Sequence, residues 1–131
     1  MIVDSSALVA IVLREPSAAA CLEALLESPS NRMSAATFLE AAIVVERHPD
    51  RRNRSRFDGL FAELDIGLEP VTPAQATIAR EAYRQFGKGM GHPAQLNFGD
   101  CFAYALAKEA DEPLLFVGQD FVHTDVRRVL G

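Results

Sequence analysis

Four acidic residues of this sequence stand among apolar neighbours, where an ionised carboxylate is costly to keep. Each of them has aliphatic or aromatic residues within two positions: Asp4, Glu40, Asp100 and Asp120. Burying a charged carboxylate without a partner is strongly unfavourable, so four such placements call for a common explanation. A shared divalent cation provides one, and the four acids are therefore predicted to converge on a metal site.

Each acid also has an ordinary structural interpretation. Asp4 could cap the helix that follows its strand, Asp100 could cap its helix or enter the first turn, and Asp120 could hold a turn after Gly118. Glu40 is harder to explain in this way, because it stands in mid-helix with apolar residues on both sides and no nearby residue of opposite charge. The four together indicate a site more strongly than any one of them.

Alternating strands and helices must position these acids. The apolar runs predict strands at 1–3, 32–34, 66–71 and 114–117 and a further edge strand at 126–130. Helical spacing and capping residues predict helices at 6–13, 17–27, 37–48, around 57–64, 72–86 and 97–110, with 50–56 charged and irregular and 118–125 a turn. This order predicts an α/β fold with a central parallel sheet flanked by helices on both faces. Ligands of such sheets collect beyond the carboxyl ends of the strands, where Asp4 and Asp120 would lie.

Length and composition indicate one folded domain spanning residues 1–131. The chain has 131 residues, 49% of them apolar and 24% charged, which is typical of a globular domain. The longest apolar run, Ala7 to Leu13, is too short to cross a membrane, and the chain starts without the positive segment of a secretory signal. We therefore expect a cytoplasmic protein with no membrane span, in which Cys21 and Cys101 are buried free thiols.

Several segments resemble one known family. They are Met1-Ile2-Val3-Asp4-Ser5-Ser6-Ala7, the stretch from Ser34 to Glu40, Gly87-Lys88-Gly89 with His92-Pro93-Ala94, the block from Leu96 to Ala107, and Pro113 to Phe116 with Gly118-Gln119-Asp120-Phe121 and Thr124-Asp125. Together they resemble the VapC-type toxins of the PIN-domain ribonucleases. The resemblance spans the chain, although 50–71 matches only in general helical character.

The resemblance implies a PIN-like α/β fold with Mg²⁺ or Mn²⁺ in an acidic cleft and endonucleolytic cutting of structured RNA such as tRNA or rRNA. It also implies a cognate VapB-type antitoxin, a homodimer and a higher toxin–antitoxin complex. The acids that match the family pattern, as catalytic and metal-binding residues, are Asp4, Glu40, Asp100 and Asp120. Ser6 matches a hydroxyl that orients a water or a carboxylate, and Asp125 is either a further supporting acid or a turn residue.

A run of arginines interrupts this acidic protein, whose net charge is −5. Four arginines fall within six residues: Arg51, Arg52, Arg54 and Arg56. They would suit contacts to RNA phosphates beside the cleft, and a solvated loop is the alternative interpretation. Lys88, in a glycine-rich loop that lacks the spacing of a nucleotide-binding P-loop, is a further candidate for a phosphate contact.

Two functions from different classes follow from these features. The first is a metal-dependent endoribonuclease toxin that a partner protein restrains. The second is a non-catalytic interaction module that keeps the same fold and binds a partner peptide in its acidic cleft. A phosphoacceptor domain is the weakest interpretation. It would need an acidic pair after its first strand and a lysine after its last, whereas Asp4 is followed by two serines and no lysine follows Val117. The first two functions differ in their dependence on a metal ion.

Overall fold

A four-stranded parallel sheet forms the centre of the protein. The computed structural model describes residues 1–131. The strands are β1 (Ile2–Val3), β2 (Arg32–Ser34), β3 (Gly67–Glu69) and β4 (Leu114–Leu115), in the order β3-β2-β1-β4. The helices are α1 (Ser5–Val12), α2 (Ala18–Glu27), α3 (Ala35–Arg47), α4 (Arg52–Glu63), α5 (Pro73–Phe86) and α6 (Phe98–Ala110). The chain thus builds the sheet outward from β1 and then returns to the other side of β1 with β4.

The alternation of side chains along the strands divides the core into two parts. Ile2 and Leu114 face a cluster that includes residues of α5 and α6, whereas Val3 and Leu115 face a cluster that includes residues of α1 to α4. Successive side chains of a strand point to opposite faces, so two adjacent apolar residues serve both cores. The predicted parallel sheet with helices on both faces is confirmed.

Polar side chains at the carboxyl edge of the sheet start two of the helices. The carboxylate of Asp4 accepts a hydrogen bond from the backbone N–H of Ser6 at the start of α1. The hydroxyl of Ser34 accepts one from Ala36 at the start of α3, which therefore begins two residues earlier than its predicted start at Thr37. Such caps satisfy N–H groups that have no partner within the helix.

Three further sequence-based predictions need correction. The segment 50–56 is not irregular, because α4 begins at Arg52; the Asp50 carboxylate accepts hydrogen bonds from the Arg52 backbone and guanidinium and so supports the helix start. The predicted edge strand at 126–130 is reduced to a single bridge between Leu114 and Arg128. Strand β4 also ends before Val117, whose N–H donates to the Ser6 hydroxyl instead of to a strand.

None of the six helices combines the length and the apolar character needed to cross a lipid bilayer. Cys21 and Cys101 are free and buried, as predicted.

The two-sided core makes a quantitative prediction. Leu115 is fully buried, so Leu115→Ala should lower the free energy of unfolding by about 2–5 kcal/mol, the usual cost of truncating a buried leucine. Leu26, which is 68% exposed on α2, provides the control, because Leu26→Ala should change the stability by less than about 0.5 kcal/mol. Urea denaturation measures both, and equal losses would contradict the assignment of Leu115 to the core.

Candidate active site

The four acids predicted to form a site come together where β1 and β4 end. Asp4 follows β1, and Asp120 stands in the turn after β4. Glu40 lies in the second turn of α3 and Asp100 in the first turn of α6. The negative charges of Asp120, Asp4 and Glu40 all act on Asp100, so the four carboxylates share one electrostatic environment. This is the point where the strand order reverses, the usual position of a ligand crevice in an open parallel sheet.

Asp4 is the most buried of the four, with only 3% of its surface exposed. Its Oδ2 accepts hydrogen bonds from the Ser6 hydroxyl at 2.6 Å and from the Ser6 backbone N–H at 3.1 Å. Its Oδ1 is buried and has no hydrogen-bond partner. Burial is the main cause that raises the pKa of Asp4 to about 6. The hydrogen bonds from Ser6 lower the pKa, and the charge of Glu40 adds to the rise. The predicted helix cap is thus real, but it uses only one of the two carboxylate oxygens.

Ser6 connects the two strands that bound the crevice. Besides donating to Asp4, its hydroxyl accepts a hydrogen bond from the Val117 N–H at 3.0 Å, just beyond β4. The predicted role of Ser6 in orienting a carboxylate therefore has a structural counterpart, because the serine holds Asp4 Oδ2 against the end of the neighbouring strand.

Asp100 is also tied to a helix start. Its Oδ2 accepts a hydrogen bond from the Asn97 N–H at 2.9 Å, and the residue is 8% exposed. Burial is the main cause that raises the pKa of Asp100 to about 7, and the charges of Asp120, Asp4 and Glu40 add to it. Two buried acids near neutral pKa are typical of a functional cluster.

Glu40 is half-buried, and the hydroxyl of Ser5 donates to its Oε1 at 2.7 Å. Sequence reasoning did not single out Ser5 or the backbone of Asn97. The signal for Ser5 is its place between Asp4 and Ser6, where a second hydroxyl follows the strand. Asp120 differs from the other acids because it is exposed.

Asp125 does not contact this cluster in the structure. Its carboxylate accepts a hydrogen bond from the Tyr104 hydroxyl at 2.6 Å and pairs with the Lys108 ammonium at 3.0 Å. Both partners lie further along α6 than Asp100, so Asp125 connects the C-terminal segment to the middle of that helix.

The arginine run lies at the start of α4, and three of its members have partners. Arg52 pairs with Asp50 at 2.9 Å and Arg54 with Glu46 at 3.0 Å, while Arg56 donates to the Asn53 side chain at 2.9 Å. Arg51 is exposed just before the helix.

Lys88 is exposed next to the start of α6. Its backbone N–H donates to the carbonyl of Leu96 at 2.8 Å, one residue before Asn97. The glycine-rich loop therefore lies at the end of α6 that carries Asp100.

The donor set suits a hard divalent cation that keeps part of its water shell. No group of three or more His, Cys, Asp or Glu side chains is gathered tightly enough to enclose a metal ion. Mg²⁺ is usually held by one or two carboxylates together with water, and Asp4 Oδ1 is a buried oxygen with no other partner. The residues present therefore fit such a cation as an open set of oxygen ligands.

The raised pKa values predict how stability depends on pH when the cation is removed. Above a pH of about 3.8 the folded protein keeps protons on Asp4 and Asp100 that an unfolded chain has lost, and it releases them as the pH rises through the folded-state pKa values of about 6 and about 7. Stability should therefore fall as the pH rises through this window and level off above it. Melting temperatures in chelator measure this, and Asp100→Asn should flatten the fall; an identical slope in the variant would contradict the assignment.

Comparison with known proteins places this site in a family. Residues 1–127 match the PIN domain. The protein named Ribonuclease VapC28, from Mycobacterium tuberculosis, is 50% identical over 130 residues, which cover 99% of this chain and 98% of that protein.

Solved structures share the fold at lower identity. The crystal structure of Mycobacterium tuberculosis VapC20, described as a toxin that cleaves the sarcin–ricin loop, superposes with a TM-score of 0.76 and 15% identity, covering 99% of this chain and 98% of that one. A toxin–antitoxin complex from Klebsiella pneumoniae gives a TM-score of 0.71 and 15% identity, covering 95% and 92%. The family match extends over residues 1–127, almost the whole sequence, and this chain belongs to the PIN-domain family.

Proposed function

We propose that this protein is a divalent-metal-dependent endoribonuclease, the toxin of a type II toxin–antitoxin system, and that it acts in the cytoplasm. The observation that carries the proposal is the buried, unpartnered oxygen of Asp4 within a cluster of four acids at the carboxyl edge of the sheet. The identity with a protein named as a ribonuclease, over nearly the full length of both chains, supports the same activity.

Asp4, Glu40, Asp100 and Asp120 would hold Mg²⁺ or Mn²⁺. When bound, such a cation lowers the pKa of a coordinated water and offsets the charge that develops on the phosphate oxygens. Ser6 keeps the Asp4 carboxylate in one orientation, and Ser5 does the same for Glu40. One carboxylate of the cluster accepts the proton that the attacking water loses. No side chain of the protein needs to act as the nucleophile.

Cationic side chains near the cluster would bind the RNA backbone. Glu46, the partner of Arg54, is six residues beyond Glu40, or about 9 Å further along α3. Lys88 lies near the start of α6, away from the arginine run. A structured RNA strand crossing the acidic cleft would reach both. Three of the four arginines already have partners, so Arg51 and Lys88 are the freest to contact phosphates.

A VapB-type antitoxin is the proposed partner that restrains the enzyme, and a toxin homodimer is the proposed unit of the complex. The Klebsiella pneumoniae toxin–antitoxin complex of the same fold supports such a partner. Exposed apolar side chains on α3 offer a surface for another chain: Leu39, Ile43 and Val44.

Metal dependence separates the enzyme from a non-catalytic peptide-binding module. Purified protein incubated with total RNA should generate new 5′ ends with Mg²⁺ or Mn²⁺ and none with chelator. Asp4→Asn and Asp100→Asn should each reduce cleavage roughly 100-fold or more while leaving the circular dichroism spectrum unchanged. Asp58→Asn, an exposed acid on α4, is the matched control and should cut normally. Cleavage that persists in chelator would refute the metal mechanism.

The arginine run predicts the salt dependence of RNA binding. Replacing Arg51, Arg52, Arg54 and Arg56 by alanine should weaken binding and reduce the slope of log K against log salt by about 0.7 for each phosphate that an arginine no longer neutralises. Arg84→Ala is the control, because Arg84 is a surface arginine that pairs with Glu81 on α5, and its removal should leave the slope unchanged. Fluorescence anisotropy at several salt concentrations measures this binding. An unchanged slope would mean that the arginines are solvated at the helix start and do not contact phosphates.

A further inference from the structure

Gly99, the second residue of α6, lies against the carboxylate of Glu40. A Cβ placed on Gly99 would overlap Glu40 Oε2 and come within 2.7 Å of Glu40 Cδ. The backbone at Gly99 does not have a positive φ, so the local conformation would accept any residue. Glycine is also unfavourable within a helix. The constraint at this position is therefore one of space, because a side chain here would force the Glu40 carboxylate to move.

The opposite side of the same carboxylate is held by α1. The Ser5 hydroxyl donates to Glu40 Oε1 at 2.7 Å. Glu40 thus projects from α3 into a slot between the start of α1 and the start of α6, and both of these helix starts also carry an acid of the cluster. The first turn of a helix favours a nearby negative charge, which assists this placement. Three helices therefore determine where the Glu40 carboxylate lies.

We propose that Gly99 is a positioning residue of the active site, whose missing side chain leaves the slot that brings Glu40 beside Asp4 and Asp100 for divalent-cation binding. The proposal rests on the ribonuclease function proposed above. A side chain at residue 99 would push the Glu40 carboxylate away from the Ser5 hydroxyl and from the other acids. The cluster would then lose a well-placed ligand although all four acids remain.

The test compares Gly99→Ala with Gly59→Ala. Gly59 lies within α4, is exposed and has no atom within 4 Å of the position that an alanine methyl group would take, so its substitution brings the same gain in helix propensity without touching the site. Titration with Mn²⁺ alone, followed by electron paramagnetic resonance, should show an affinity reduced roughly 10- to 100-fold in Gly99→Ala, the usual loss when the support of a metal ligand is removed. Gly59→Ala should bind Mn²⁺ as the wild type does. Excess Mn²⁺ should restore much of the RNA cleavage by Gly99→Ala.

Melting temperatures in chelator provide a readout that does not depend on activity. In a Glu40→Ala background, Gly99→Ala should raise the melting temperature because the obstructing carboxylate is absent, and Gly59→Ala should raise it in the wild type for the same gain in helix propensity. In the wild-type background, Gly99→Ala should raise the melting temperature by less, or lower it. The effects of Gly99→Ala and Glu40→Ala on stability should therefore be non-additive. If Gly99→Ala fails to fold alone, recovery of folding in the double variant supports the proposal, and no recovery overturns it.

The possible failures can be told apart. If the wild type binds Mn²⁺ and cleaves RNA, and Gly99→Ala does both equally well, the role of Gly99 is refuted and the ribonuclease proposal stands. If the wild type neither binds Mn²⁺ nor cleaves RNA in its presence, both proposals fall.

Discussion

The buried carboxylate of Asp4 is the charge around which the edge of the sheet is arranged. Removing it from water raises its pKa, and two hydrogen bonds from Ser6 to Oδ2 offset only part of that cost. The hydroxyl of Ser6 also accepts a hydrogen bond from the Val117 N–H, so the residue that stabilises the Asp4 charge connects the ends of β1 and β4. Oδ1 stays buried without a partner, and in the proposed enzyme it would be the oxygen left to bind a cation.

Structural and functional interpretations of the acids are compatible, because a carboxylate has two oxygens. Asp4 caps α1 and Asp100 supports the start of α6, as their ordinary interpretations predicted. Helix α1 follows β1 directly, so Asp4 lies at the carboxyl edge of the sheet. Helix α6 follows α5 rather than a strand, and its start reaches the same edge, where Gly99 lies against Glu40. Fixing one oxygen in a helix start orients the other, and the local structure of each acid thereby prepares the shared site.

Apolar runs, helical spacing and capping residues are local signals, and they were sufficient to predict the sheet and the order of the elements. The apolar neighbours of four carboxylates indicated the candidate site. The start of α4 was missed although its signal is local, since Asp50 stands two residues before Arg52. The other failures are places where a tertiary contact decides, such as the end of β4, which depends on a serine 111 residues away. Ser5 reaches Glu40 across 35 residues, a separation that no local pattern reveals. Asp125 likewise finds Tyr104 and Lys108 only in the folded protein.

Charge balance connects the site to its proposed polyanionic substrate. The protein carries a net charge of −5, and Asp50 and Glu46 pair with two arginines of the basic run. The acidic cluster by itself would repel a phosphate that approaches the crevice. A divalent cation held by these acids would offset their charge and add to the attraction of the cationic side chains nearby. In the proposed enzyme, substrate binding and catalysis would therefore depend on the same ion, and a cationic side chain of a partner could neutralise the same acids. The close acids that make the free cluster unfavourable would then let one site bind a metal, an RNA or an inhibitor.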